Sequence, residues 1–259
     1  VRKWFVMLIM SAIALALLVS CEDDKKVNQT TEPEETAKID QEKDINDLVT
    51  IKEEVNREDT TPNGDIARYV YEVPVINIDT KGAQKINDRF FNLVKDMESQ
   101  IGNGQNLTIN INSKAFLNDE IISVVMEIVK PGPGGIHTAN YDIKRDKELS
   151  TKELIDKYNF DPKKLIAEIN RQVEINEGKP EEEQVPFDIN LFTYTIIAHL
   201  YGNTDEYFKK VEEMDNKTNG EKERFVIENI DKFKVYLNED GHFVFIYTGA
   251  LPDEELVVE

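Results

Sequence analysis

Apolar positions along the chain change spacing several times after residue 65, and each change marks an expected element. Ile66 to Ile78 is rich in Tyr, Val and Ile and predicts an extended strand, with Pro74 indicating a sheet edge or a break. Beyond Thr80, a suitable N-cap, Ala83, Ile86, Phe90, Leu93, Val94, Met97 and Ile101 recur at helical spacing. They predict an amphipathic helix with one buried stripe, ended by Gly102-Asn103-Gly104. Leu107, Ile109 and Ile111 alternate with polar residues, as a half-buried strand would, whereas Ile121 to Val129 is apolar on both faces, as a central strand would be. Asn118-Asp119-Glu120 is the expected turn between the two.

The stretch from Pro131 to Leu154 is the densest in local signals. Pro131-Gly132-Pro133-Gly134-Gly135 must bend the chain, because proline removes a donor and glycine accepts positive φ. Ile136 to Ile143 then returns as a strand, Asp146-Lys147 turns, and Ser150 with Glu153 has the form of a capping box opening a helix through Tyr158. Asp161-Pro162 starts a second helix striped by Leu165, Ile166, Ile169 and Val173. Further on, Leu191, Tyr194, Ala198 and Tyr201, then Tyr207, Phe208 and Val211, suggest helices broken at Gly202-Asn203. Asn238-Glu239-Asp240-Gly241 reads as a hairpin turn between aromatic-rich strands.

The first residues follow a different logic. Arg2 and Lys3 precede an almost unbroken apolar run, Trp4 to Val19, closed by Leu18-Val19-Ser20-Cys21. This run resembles a bacterial lipoprotein signal, which implies cleavage before Cys21, diacylglycerol on its thiol and a protein working outside the cytoplasm. As the only cysteine, Cys21 is expected to be the lipidated anchor rather than a nucleophile. From Glu22 to about Asp65 the chain has no aromatic residue and few apolar ones, so an acidic flexible tether is expected, with a short helix over Asp44 to Val55 compatible with the spacing of Ile45, Leu48, Ile51 and Val55. The expected organisation is thus residues 1–20 signal, 21–65 tether, 66–130 a strand-helix-strand subdomain and 131–259 a C-terminal subdomain.

Charge narrows the partners. With 51 Asp+Glu against 31 Lys+Arg, the formal net charge is -20, which repels a phosphate backbone and argues against nucleic acid. Acidity suits a basic partner through electrostatic steering, although it is also an ordinary solubility device. No catalytic constellation can be assembled. His137, His199 and His242 lie on different expected elements, no H-E-x-x-H, G-x-S-x-G or P-loop occurs, and Asp215 to Gly220 fails as a calcium loop at Lys217 and Val226. His137, after the glycine turn, is the residue best placed for function, since backbone amides and an imidazole there could meet an anion or a glycan hydroxyl. The expected ligand-binding set is Gly134, Gly135, His137 and Tyr141, with no metal and no cofactor.

Gly134-Gly135-Ile136-His137, the polar strand ending Tyr141-Asp142-Ile143, and Leu149-Ser150-Thr151-Lys152-Glu153-Leu154 resemble the RsiV-like extracytoplasmic domain family. Val73-Pro74-Val75-Ile76 with Ile86-Asn87 is similar to the small domain that precedes it, and Phe233 to Phe245 to its closing hairpin. Ile136 and Thr138 depart from the alanine and glycine that often flank the histidine, and Lys179 to Gly220 matches nothing in the pattern. The resemblance implies an α+β fold, a mostly antiparallel sheet with helices packed on one face, in two small subdomains. Family members sense lysozyme as the outer part of anti-sigma factors or accompany polysaccharide deacetylases. Only three residues precede the apolar run here and no deacetylase metal triad is evident, so neither activity is expected. The expected function is a surface-tethered, non-enzymatic lipoprotein that binds a cell-wall component, a glycan or a cationic lysozyme-like protein. A wall glycan or peptide hydrolase and an envelope scaffold are the alternatives.

Overall fold

The computed structural model describes residues 44–60, 64, 66–100, 107–130, 134–202, 204–248 and 253–259. All of them belong to one unit, Ile39–Glu259. Cys21, the signal and the first half of the expected tether lie outside the described residues.

The protein is α+β. A six-stranded sheet contains β1 (Val49–Thr60), β2 (Ile66–Ile76), β3 (Leu107–Asn118), β4 (Ile121–Val129), β5 (Gly135–Asp142) and β6 (Lys147–Glu148), in chain order. All neighbours run antiparallel except β2 and β3, which pair parallel from Ala67 to Tyr71. That pair needs a crossover, and helix α2 (Lys81–Gln100) provides it. A second sheet of three strands holds β7 (Lys234–Leu237), β8 (Phe243–Thr248) and β9 (Asp253–Val258). Between the sheets in sequence come α3 (Thr151–Tyr158), α4 (Pro162–Glu177), α5 (Ile189–Tyr201), α6 (Asp205–Asp215) and α7 (Asn219–Glu228).

Alternation along the strands sorts the core into layers. Ile122, Val124, Met126 and Ile128 of β4 join Ala139 and Tyr141 of β5 against Ala83, Ile86, Phe90, Val94 and Met97 of α2. Val125 and Ile136 face the opposite way and meet Tyr236, Val244 and Ile246 of the second sheet. The far face of that sheet, with Val235, Phe245, Tyr247 and Leu256, buries Leu165, Ile169, Phe192 and Val226 of the helices. Strand β4 is apolar on both faces because it is covered on both. Each sheet therefore carries helices on one face and the other sheet on its second face.

A polar suture joins the sheets. Ser123 Oγ donates to Asn140 Oδ1 at 2.8 Å and accepts from the Leu237 N–H at 3.1 Å, while Asn140 Nδ2 donates to the Val235 carbonyl at 2.7 Å. Both side chains are buried, so these bonds answer backbone groups of β7 that no strand reaches.

Three expectations are corrected. The chain from Ile45 to Thr60 is part of the sheet: a single helical turn, α1 (Ile45–Leu48), leads into β1, and Leu48 and Val49 are buried in the α2 layer. The spacing that suits a helix over Asp44 to Val55 is overridden by pairing with β2 from Val49↔Ile76 to Thr60↔Ile66, with a register shift between Glu54 and Arg57. Pro74 does not mark an edge strand, since β2 lies between β1 and β3. It is tolerated because pairing with β3 stops at Tyr71; beyond it the outward N–H of Ile76 donates to Asn87 Oδ1 at 2.9 Å instead. The expected boundary after residue 130 falls between β4 and β5, which pair with each other from Ile121↔Asp142 to Ile128↔Gly135.

Candidate functional site

Of the residues singled out by the glycine turn, Gly135, His137 and Tyr141 sit on β5 and Gly134 just before it, and they do not converge. Tyr141 is 0% exposed. Its hydroxyl donates to Asp146 Oδ1 at 2.8 Å and lies 2.8 Å from Thr80 Oγ1. Burial pushes its pKa up to about 12, so it stays a neutral hydrogen-bonding group. Asp146 also accepts the Gly82 N–H at 2.9 Å, and hydrogen bonds from Thr80, Tyr141 and that backbone hold its carboxyl below the usual range. The cluster places a carboxylate on the first turn of α2, where the dipole favours it. Tyr141 is thus a tie between helix and sheet, and the expectation that it contacts a ligand is corrected.

Gly134 is exposed, but its backbone approaches β4 so closely that a Cβ would lie 2.2 Å from the Ile128 carbonyl oxygen. The glycine answers a close chain reversal. Gly135 opens β5 opposite Ile128, with Asp253 Oδ2 3.3 Å from where a Cβ would be. His137 is half-buried on the α2 face, paired with Met126. Burial first, then the neighbouring Lys234 and Arg89 charges, pull its pKa down to about 4 against the opposing pull of Asp253. The imidazole is neutral at physiological pH.

Sequence reasoning missed the residues that close the free edge of β5. Asp253 Oδ2 accepts the Ile136 N–H at 3.1 Å, Lys234 Nζ donates to the Ile136 carbonyl at 2.9 Å, and Arg89 donates to the Thr138 carbonyl at 3.0 Å. The Leu149 N–H donates to the Asn140 carbonyl at 2.7 Å. Side chains from β9, β7 and α2 so occupy the positions another strand would take, which protects the edge. No spacing in the sequence links Ile136 to residues near 234 and 253.

The edge of β9 is treated differently. The Asn238 N–H donates to the His242 carbonyl at 3.0 Å, which makes Tyr236–Val244 a hydrogen-bonded pair and turns the backbone groups of Phe243, Phe245 and Tyr247 toward β9. Their partners Val258, Leu256 and Glu254 bond inward, so Glu255 and Val257 direct their N–H and C=O groups away from β8. The Glu259 carbonyl, of the same parity, accepts from Lys164 Nζ of α4 at 2.9 Å, so this edge looks toward α4. Among the described residues β9 pairs only with β8.

Between β9 and α4 runs an open groove of about 710 Å³. Ala167 and Ile175 line it from the helix together with the charged Lys164, Glu168 and Arg171; Lys179, Val185 and Phe187 line it from the following segment, and Glu254, Leu256 and Val257 from the strand. A second cleft of about 430 Å³ lies on the other side of β9, lined by Glu127, Asp253, Glu254, Glu255 and Lys114. Glu254 and Glu255 border both. Lys114 Nζ bonds both carboxylate oxygens of Glu255 at 2.9 Å and sits 5.2 Å from the centre of the Tyr236 ring.

The aromatic helices expected over Phe187 to Met214 are present as α5 and α6, separated at Gly202, whose φ is 60°. Tyr194, Tyr201 and Tyr207 are all half-buried, and Tyr194 hydrogen-bonds Asp215. Phe208 is the exposed ring there, at 62%. Asp215 to Gly220 ends α6 and starts α7, with Thr218 and Glu221 forming a capping box. Among the described residues no group of His, Cys, Asp and Glu is arranged to hold a metal ion, and no helix is long and apolar enough to cross a membrane. No protein-family model matches the chain, and no curated protein matches it.

Proposed function

We propose that this protein is a surface-tethered, non-enzymatic binding lipoprotein of the bacterial cell envelope. Cys21 carries the diacylglyceryl anchor, and the folded region from Ile45 onward recognises a cationic wall-directed protein of the lysozyme kind. Two acyl chains on one residue hold a protein stably at a bilayer. The likeness of Gly134 to Leu154 to RsiV-like domains points the same way.

The observation that carries the reading is the pair of open clefts on either side of β9, the smaller lined by four carboxylates, of which Asp253 pairs with Lys234 and Glu255 with Lys114. On a chain of net charge -20 such a surface draws basic proteins and speeds their encounter. His137 and Tyr141 enter as supports of the fold.

The test is binding of lysozyme, peptidoglycan and isolated wall glycans to the full chain in detergent micelles at low and high salt. Retention of the basic protein that weakens as salt rises is expected. Equal retention of an acidic protein of similar size, or none of any ligand, sinks the proposal. Metabolic labelling with a radioactive fatty acid tests the anchor, with label expected on the native chain and none on Cys21→Ser.

A further inference from the structure

We infer that β9 accepts an extended cationic polypeptide as an added strand in the groove against α4, one row of its side chains facing Ala167 and Ile175, the other Glu127 and Glu255. The inference rests on the proposed binding of a basic protein for the sign of the partner's charge, and on the strand geometry for its form.

Three observations carry it. The first is directional: Glu255 and Val257 turn two N–H donors and two C=O acceptors toward the groove, and only backbone in extended form matches donors and acceptors at that repeat. The second is the contrast between edges. On β5 the outward groups of Ile136, Thr138 and Asn140 are answered by Asp253, Lys234, Arg89 and the Leu149 amide. On β9 a side chain reaches the Glu259 carbonyl, and the groove lies open before the residues preceding it. The third is chemical. Val185 is 57% exposed and Ile175 45%, so the groove offers apolar contacts to one row of alternate side chains, beside the Lys164, Glu168, Arg171 and Lys179 that also line it. Across the strand, Glu127 and the Lys114-bonded Glu255 present carboxylates to the opposite row. Lysine or arginine at every second position, with valine-like residues between, satisfies both rows.

The aromatic corner at Phe208 and Leu200 is also exposed, but nothing there fixes an orientation or a charge for what would cover it. The β9 edge fixes both.

The probe is a capped heptapeptide of alternating valine and lysine, labelled for fluorescence anisotropy, titrated into the full chain in micelles. Saturable binding is expected, together with slowed amide exchange over residues 253–259. Methylating alternate peptide nitrogens on one edge should weaken binding by ~10-fold or more, because methylation removes donors while leaving side chains and charge in place. Val257→Pro should weaken it similarly, since its N–H points away from β8 and its loss leaves the β8 ladder whole. A valine–glutamate peptide should bind more weakly than the lysine one. Absence of saturable binding, or equal affinity for the methylated peptide, overturns the inference without recourse to any protein variant. If the folded Val257→Pro chain still captures lysozyme at wild-type affinity, strand addition is not how that protein is held, and the proposed function stands. If the peptide binds as expected but no basic protein does, the proposed function falls and strand addition stands.

Discussion

Lys234 Nζ donates to the carbonyl oxygen of Ile136 at 2.9 Å, so a side chain of the second sheet completes a hydrogen bond that the first sheet leaves open. Asp253 accepts the N–H of the same residue at 3.1 Å, and the two side chains approach each other at 3.4 Å. Residue 136 is thereby saturated from outside its own sheet. Replacing Lys234 with Met should cost ~1 kcal/mol, the usual net value of one hydrogen bond, read as a lower urea midpoint at unchanged slope. No change in midpoint would show that water replaces the ammonium without loss.

Tyr141→Phe removes the hydroxyl that joins Asp146 to Thr80. Because the ring is buried and Asp146 is left one donor short, a loss of about 1–3 kcal/mol is expected. Thr80→Val combined with Tyr141→Phe should cost less than the sum of the single changes, as coupled partners do. Strict additivity in the urea midpoints would dismantle the cluster as a unit.

The native pKa of His137, about 4, lies below its ordinary 6.5. Below pH 6.5 the unfolded chain binds a proton that the folded one refuses, so stability falls as pH drops from 6.5 toward 4. Glu153, held down to about 2 by the Lys147 ammonium and the Ser150 cap, contributes stability above pH 4.5 that is lost as pH falls toward 2. The two windows meet near pH 4 to 4.5 and have the same sign. His137→Gln should flatten the stability curve in the upper window and leave the lower one intact; an unchanged slope between pH 6.5 and 4.5 contradicts the assignment. NMR titration of the imidazole provides the direct check.

Gly82 lies where a Cβ would come within 2.3 Å of the Asp146 carbonyl oxygen. Gly82→Ala should destabilise by about 1–3 kcal/mol because backbone must move to admit a methyl group. Gly220, in α7, has nothing within 4 Å of its Cβ position, and Gly220→Ala should stabilise by about 0.4–1 kcal/mol. Thermal melts of the two variants should therefore shift in opposite directions.

The position of β1 sets the minimal folded fragment. A chain beginning at Asp44 should fold cooperatively, whereas one beginning at Ile66 loses Leu48 and Val49 from the core and leaves β2 as an uncovered edge. The shorter fragment is expected to aggregate or melt far lower. Equal stability of the two fragments would contradict the place of β1 in the core.

Local chemistry was legible wherever a signal and its consequence lie within one element. Ser150 and Glu153 form the capping box that their spacing predicts, Asp161 caps the helix that Pro162 opens, and Asp119, at φ 52°, turns β3 into β4. The both-faces apolar run of β4 announced a central strand, and the α+β class implied by the resemblance is the one the protein has. Tertiary structure decided the rest, because sheet pairing and edge closure join residues that no sequence period connects. Residues 49–60 carry charges that read as tether until β2 lies alongside, and Tyr141 reads as a ligand group until Thr80 and Asp146 enclose its hydroxyl. The same holds for the glycine-turn strand: its sequence marks β5 and places His137 on it. That its edge is filled by Arg89, Lys234 and Asp253, while the edge of β9 opens on a groove, depends on which strands fold back together, and only the assembled sheets determine that.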